Sequence, residues 1–224
     1  MGQGISEVLT FAVAVAISPI PIIAVILMLF STRARVNGPA FLLGWVIALA
    51  VVSTVVYVLA HDGNVSTSST AADSVSWGKI VLGVVLILFA RRYWRNRPVH
   101  GEEPPMPKWM GRIDGLSPAK AAGLGVVLAA ANPKNLILTI GSATGLAQLG
   151  LSTSDAIVAT AVFVFLGSVS IAGPVLYALF GGERARASLD SAKTWLGAHN
   201  AAVMAALFLV FGVDLIAKGL PPLT

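Results

Sequence analysis

Phe41-Leu42-Leu43-Gly44-Trp45-Val46-Ile47-Ala48-Leu49-Ala50-Val51-Val52-Ser53-Thr54-Val55-Val56-Tyr57-Val58-Leu59-Ala60 runs for twenty residues without a charge. A helix needs about 20 mostly apolar residues to cross the hydrocarbon core of a bilayer. The apolar residues come as a continuous block rather than at one-face spacing, so the segment offers no side to water. Read outward from it, five more blocks follow the same pattern: about Ile5 to Phe30, Trp77 to Tyr93, Ala119 to Ala147, Ala156 to Phe180 and Ala201 to Ala217.

The composition agrees. Of 224 residues 56% are hydrophobic and 11% charged, with mean hydropathy +0.84, against roughly 25% charged in a soluble domain. So few charges cannot coat a water-soluble globule of this size. The expected fold is an all-α membrane protein with six transmembrane helices. The first block is read as a span and not a cleaved signal peptide, because Met1 to Glu7 holds no basic residue and one acid, the reverse of a signal leader. The chain has no cysteine, which removes disulfides, thiolate metal sites, cysteine nucleophiles and thiol electron relays.

Charge alternates between the blocks. The first loop holds Arg33 and Arg35, the second Asp62 and Asp73, and the third Arg91, Arg92, Arg95, Arg97, Lys108, Arg112 and Lys120. The fourth holds Asp155, and the fifth Arg184, Arg186 and Lys193. Basic loops stay on the cytoplasmic side. Loops one, three and five are therefore expected in the cytoplasm of a bacterial inner membrane, with both termini outside. Lys79 and Lys218 sit near span ends, where their stems can snorkel to the interface. These loops account for the net charge of +5 without a nucleic-acid partner.

Three blocks contain proline: Pro19 and Pro21 in the first, Pro133 in the fourth, Pro174 in the fifth. Proline removes a backbone donor and frees a carbonyl upstream. In lipid such groups need partners, so these interruptions are expected to face protein or a wet cavity. The proline-rich third loop, Asn96 to Leu116, divides the chain into a first three-helix repeat (1–95), a cytoplasmic linker (96–116) and a second three-helix repeat (117–224). Ala16-Ile17-Ser18-Pro19-Ile20-Pro21-Ile22-Ile23 aligns with Ala130-Ala131-Asn132-Pro133-Lys134-Asn135-Leu136-Ile137. Three spans per half make the second half enter from the opposite side. The expectation is a 3+3 inverted repeat with proline-broken first and fourth helices, and a site near mid-membrane where the breaks correspond.

The substrate-binding candidates are the residues of those breaks: Ser18, Pro19 and Pro21 in one, and Asn132, Pro133, Lys134 and Asn135 in the other. Lys134 stands out, since a cation at mid-span costs from about 3 to over 10 kcal/mol and normally marks a pathway. Its ammonium suits a carboxylate or phosphate, or a proton-linked switch. The plainer alternative is that it snorkels or pairs with a freed carbonyl. Asp214, toward the outer end of the sixth span, is a candidate for ion or proton coupling or a counter-ion of Lys134, and equally an interfacial acid. Arg33 and Arg35 are candidates for headgroup contact beside their plain positive-inside role. Asn37-Gly38-Pro39 reads as a tight turn, and Gly141-Ser142-Ala143-Thr144-Gly145 as a small-residue face for close helix packing. His61, His100 and His199 form no metal-ligand spacing. There is no phosphate-binding glycine loop, zinc-protease helix motif or serine elbow. No enzyme activity, metal or cofactor is expected.

The two proline breaks, with Asn132-Pro133-Lys134 in the fourth span, resemble the lysine-exporter (LysE) superfamily. Within it, the stretch from Phe30 to Trp45, Pro107-Lys108-Trp109, and Ala131 to Leu136 resemble the GAP family. These are the peptidoglycolipid- or sulfolipid-addressing proteins, known mostly from mycobacteria and other actinobacteria. The resemblance covers essentially the whole chain. It implies six spans, no ATP hydrolysis and a role in moving cell-envelope glycolipids toward the surface, often beside a larger lipid exporter. Amino-acid exporters of the superfamily usually carry Pro-Gly-Pro in the first span, where this chain has Pro19-Ile20-Pro21. Its electron carriers use intramembrane cysteines, which this chain lacks. The expected function is therefore transport of envelope lipids or glycolipids, with membrane lipids as partners. The alternatives are a proton-coupled exporter of amino acids or other small polar solutes, and a non-transporting accessory subunit of a larger lipid exporter. Small-residue faces also permit a homodimer.

Overall fold

In a computed structural model the described residues are 1–61, 77–97, 113 and 115–220. They are all-helical. The elements are α1 (Gly2–Ala16), α2 (Pro19–Leu29), α3 (Ala34–His61), α4 (Trp77–Arg95), α5 (Pro118–Val126), a π turn (Val127–Ala131), α6 (Pro133–Gln148), α7 (Thr153–Phe180) and α8 (Gly182–Gly219). Most of the expected third loop, with Pro107-Lys108-Trp109, and the acidic second loop lie outside the described residues.

Three helices, α3, α7 and α8, are long and apolar enough to cross a membrane. Two bent pairs raise that number to five if each is one span: α1 with α2, bent by 55°, and α5 through the π turn with α6, bent by 64°. These two pairs are the expected broken helices. The helix expected as the third span, α4, is not among the five. Its uncharged run between Lys79 and Arg91 covers eleven residues, Ile80 to Ala90, only about 16 Å of helix.

The sequence reading needs three corrections. Asn37-Gly38-Pro39 is not a turn, because α3 begins at Ala34 and runs through it. The carbonyl that Pro39 deprives of its donor is that of exposed Arg35 in the first helical turn, where water can replace the missing bond. Pro174 does not interrupt the fifth block, since α7 is continuous from Thr153 to Phe180. Breaking the helix would orphan a whole turn of backbone groups in lipid, and keeping it loses one bond. The fifth loop is helix as well: Arg184, Arg186 and Lys193 lie on α8. Its 38 residues extend for about 57 Å, well beyond a hydrocarbon core of about 30 Å. Gly150 (φ +58) and Gly182 (φ +57) take the left-handed conformation that the tight connections into α7 and α8 require.

The chain forms two compact units. The first contains α1–α3, α5–α7 and α8 up to Thr194. At its centre α3 packs on α5, α6 and α7, and α1 on α6 and α7. Phe41 and Trp45 are fully buried, stacked at 6.5 Å, and the Trp45 indole donates to the Gly167 carbonyl at 3.3 Å. Gly44 and Gly125 let α3 and α5 touch backbone to backbone: a Cβ at Gly44 would strike the Ala122 carbonyl, and one at Gly125 that of Phe41. Close approach over small residues is how helices associate in lipid, where the hydrophobic effect supplies no force between them. The face at Gly141 and Gly145 is met instead by side chains, those of Phe11 and Glu7 on α1.

The second unit pairs α4 with α8 from Trp195 onward. Leu86, Ala90, Met204 and Phe208 form its core. Gly83 and Gly212 make a reciprocal crossing, each leaving room for the other's carbonyl at 2.6 and 2.8 Å from a would-be Cβ.

Candidate functional site

The site forms where the two broken helices of the first unit meet. Ser18 and Asn132 each precede a proline, a position that disfavours helical backbone. Both are non-helical, Ser18 at φ −123, ψ 89 and Asn132 at φ −72, ψ 116. Each proline then opens the next helix at its first position, where a missing N–H costs nothing.

Consequences differ at the first break. In an unbroken helix the N–H of residue 19 would serve the carbonyl of Val15, and that of residue 21 the carbonyl of Ile17. Proline removes both donors. The Ser18 N–H turns to Ala16 at 2.9 Å, which also strands the carbonyl of Ala14. Side chains fill all three gaps. The Ser18 hydroxyl donates to Val15 O at 2.6 Å. The Lys134 ammonium donates to Ala14 O at 2.8 Å and Ile17 O at 2.7 Å. With Ile17 N–H on Val13 O and Ile22 N–H on Ser18 O, every carbonyl from Val13 to Ser18 has a donor. The placement also follows the helix dipole, a cation resting on the C-terminal end of α1.

Asn132 and Asn135 hold the second break from within. The Asn132 side chain caps α6, its Oδ1 accepting from Lys134 N–H at 3.1 Å. In the π turn the natural donor for Leu128 O is residue 133, which is proline; Asn135 Nδ2 takes that carbonyl at 3.1 Å. Asn135 Oδ1 lies 3.0 Å from the Ser18 hydroxyl, so Asn135 ties both breaks together. Lys134 is 5% exposed and Asn135 fully buried.

Lys134 carries three donors as an ammonium; both of its partners here are neutral carbonyls, and one donor remains. Below it on α6, Asn135, Thr139 and Ser142 are all buried at the i, i+4, i+7 spacing of one helix face. The Thr139 hydroxyl has no partner among the described residues. The arrangement is a buried stripe of an amine, an amide and two hydroxyls that starts where two helices are broken.

The remaining candidates lie elsewhere. Arg33 is on the turn after α2 and Arg35 in the first turn of α3, both solvent-facing. Nearby, Arg186 and Lys193 of α8 lie 5.7 and 5.3 Å from the Phe30 ring; this basic contact escapes sequence reading because α8 is more than 150 residues away in the chain. Asp214 is on α8 within the second unit and makes an interaction of its own. Sequence reading singled out Ser18, Asn132, Lys134 and Asn135, but not the carbonyls of Ala14 and Ile17, which carry no side-chain signal. No metal-binding group of His, Asp or Glu occurs among the described residues.

A family model described as "Sap, sulfolipid-1-addressing protein" matches residues 8–221. No curated protein and no solved structure matches the chain.

Proposed function

The chain belongs to the sulfolipid-1-addressing protein family, and from that premise we propose that it is a transporter carrying an anionic or polyol lipid headgroup across the bacterial inner membrane. The observation that carries the proposal is Lys134: a buried side-chain nitrogen where the two broken helices meet, bonded to two neutral carbonyls and to no carboxylate among the described residues. Burying a cation at such depth is costly enough that it normally serves a pathway. In this reading Ser18, Pro19 and Pro21 with Asn132, Pro133, Lys134 and Asn135 form the headgroup site, and Arg33 and Arg35 gather anionic headgroups at the cytoplasmic edge. Asp214 is the coupling acid. In this reading α4 is counted as the sixth span despite its short apolar run, and the spans are arranged as two inverted three-helix repeats joined by a cytoplasmic linker. The protein works, in this reading, beside a larger lipid exporter.

The test compares surface-extracted and whole-cell lipids in strains with and without the gene, with amino-acid efflux measured in parallel. A lipid absent from the surface but retained inside is the expected result. Lys134→Ala should insert in the membrane yet fail to restore that lipid, and Lys134→Arg should restore part of it. Full restoration by Lys134→Ala at normal expression overturns the site. Unchanged surface lipids with impaired efflux overturn the lipid reading in favour of a small-solute exporter.

A further inference from the structure

A groove of about 740 Å³ runs between α3 and α7, from Tyr57 and Thr153 at one end to Leu42 and Ala172 at the other. At helical rise this is about 28 Å along α7, close to the full hydrocarbon depth of about 30 Å. It is open sideways, with Ile157 and Phe165 strongly exposed at its rim. None of its lining residues is Asp, Glu, Lys or Arg, so its walls match an uncharged tail and reject a charged headgroup. One wall group is unsatisfied: Ser168 is 5% exposed, and its hydroxyl has no partner among the described residues. A buried hydroxyl normally finds one.

Depth links this groove to the headgroup site. Gly167, beside Ser168, packs against Val15, whose carbonyl is one of those freed at the first break. The unsatisfied hydroxyl therefore sits at the level of the break. The rim argues against a second copy of the chain as occupant. Helices pack in lipid through small residues that let backbones touch, as Gly44 and Gly125 do in this chain. The groove has small residues in its lining, among them Ala50, Ala156, Ala161 and Ala172, but Tyr57, Ile157 and Phe165 line it too; their bulk keeps a second helix off the small residues and leaves a void that a flexible hydrocarbon chain can fill.

We propose that the α3–α7 groove is a track for one acyl chain of the transported lipid. The inference rests on the lipid reading above and adds the place of the tail. Because the groove spans nearly the whole hydrocarbon depth, the tail stays housed while the headgroup changes sides.

The experiment uses the full chain in phosphatidylcholine vesicles doped with a phosphatidylcholine whose palmitoyl tail carries a diazirine, followed by photolysis and peptide mapping. Labels should concentrate on the groove walls, at Val46 and Val164. Ala50→Phe combined with Ala161→Phe should remove them and leave labelling of the exposed α8 residues Val210 and Val213 unchanged, with an unchanged unfolding transition of the solubilised variant showing that it is folded. Equal labelling of groove and α8, or groove labelling that survives the two phenylalanines, overturns the proposal. So does efficient cross-linking of a Thr54→Cys variant to a second copy without groove labelling; the chain has no native cysteine to confuse that result. Groove labelling is read without Lys134, so its presence alongside full activity of Lys134→Ala would sink the headgroup site and spare the track.

Discussion

The two proline breaks look alike in sequence and behave as opposites in the fold. The break at Ser18 is rich in acceptors: Pro19, Pro21 and the turned Ser18 N–H leave the carbonyls of Ala14, Val15 and Ile17 without backbone donors, and only Val15 is served locally. The break at Asn132 is rich in donors and caps itself through Asn132 and Asn135, with Lys134 left over to serve the other break. In a bilayer neither break could stand in lipid alone, because unsatisfied backbone groups there cost several kcal/mol each. Together they form a matched pair, which explains why α1 and α6 pack against each other.

The sharpest way to break this complementarity is Lys134→Met, which keeps the stem and deletes the donors. It should lower stability by about 3 kcal/mol, the cost of stranding two buried carbonyls, read as an earlier unfolding transition of the detergent-solubilised protein. An unchanged transition would show that the two contacts carry no energy. The second test sharpens the comparison. Pro21→Ala adds a backbone N–H in the first turn of α2, which allows the break to straighten and re-form the bond to Ile17 O, so adding it to Lys134→Met should recover about 1 kcal/mol. Strict additivity of the two changes would refute the idea that Lys134 stands in for the missing proline N–H.

A smaller effect is expected at the residue that joins the breaks. Asn135→Leu removes the donor to Leu128 O and the contact with Ser18, and should cost about 2 kcal/mol. Smallest is Asn132→Ala, which deletes only the α6 cap and should cost about 1 kcal/mol. If Asn132→Ala proved more damaging than Lys134→Met, the second break and not the first would be the one in need of help.

Much of this was legible in the chain. The apolar blocks Phe41–Ala60 and Ala156–Phe180 identify membrane helices because no other environment accepts them. Pro19, Pro21 and Pro133 mark the bends because a missing N–H acts locally. The same local rule misled at Pro39 and Pro174, where the helix runs through: proline removes one bond, and whether the helix bends depends on what stands ready to satisfy the freed carbonyl. At Arg35 it is the exposed surface, whereas at Ile17 it is a lysine from another helix.

By itself, the sequence determined that this is a membrane-embedded helical protein, where its helices are interrupted, and that Lys134 is a cation in an apolar span. Hydropathy and proline chemistry are properties of short stretches, so they can be read in order along the chain. Only the tertiary structure decided that Lys134 lies on the carbonyls of Ala14 and Ile17, that Asn135 joins both breaks, and that α3 and α7 leave a groove with Ser168 in its wall. Those facts depend on groups more than a hundred residues apart being brought within hydrogen-bonding or packing distance, and hydrogen bonds and voids exist only between surfaces that have met.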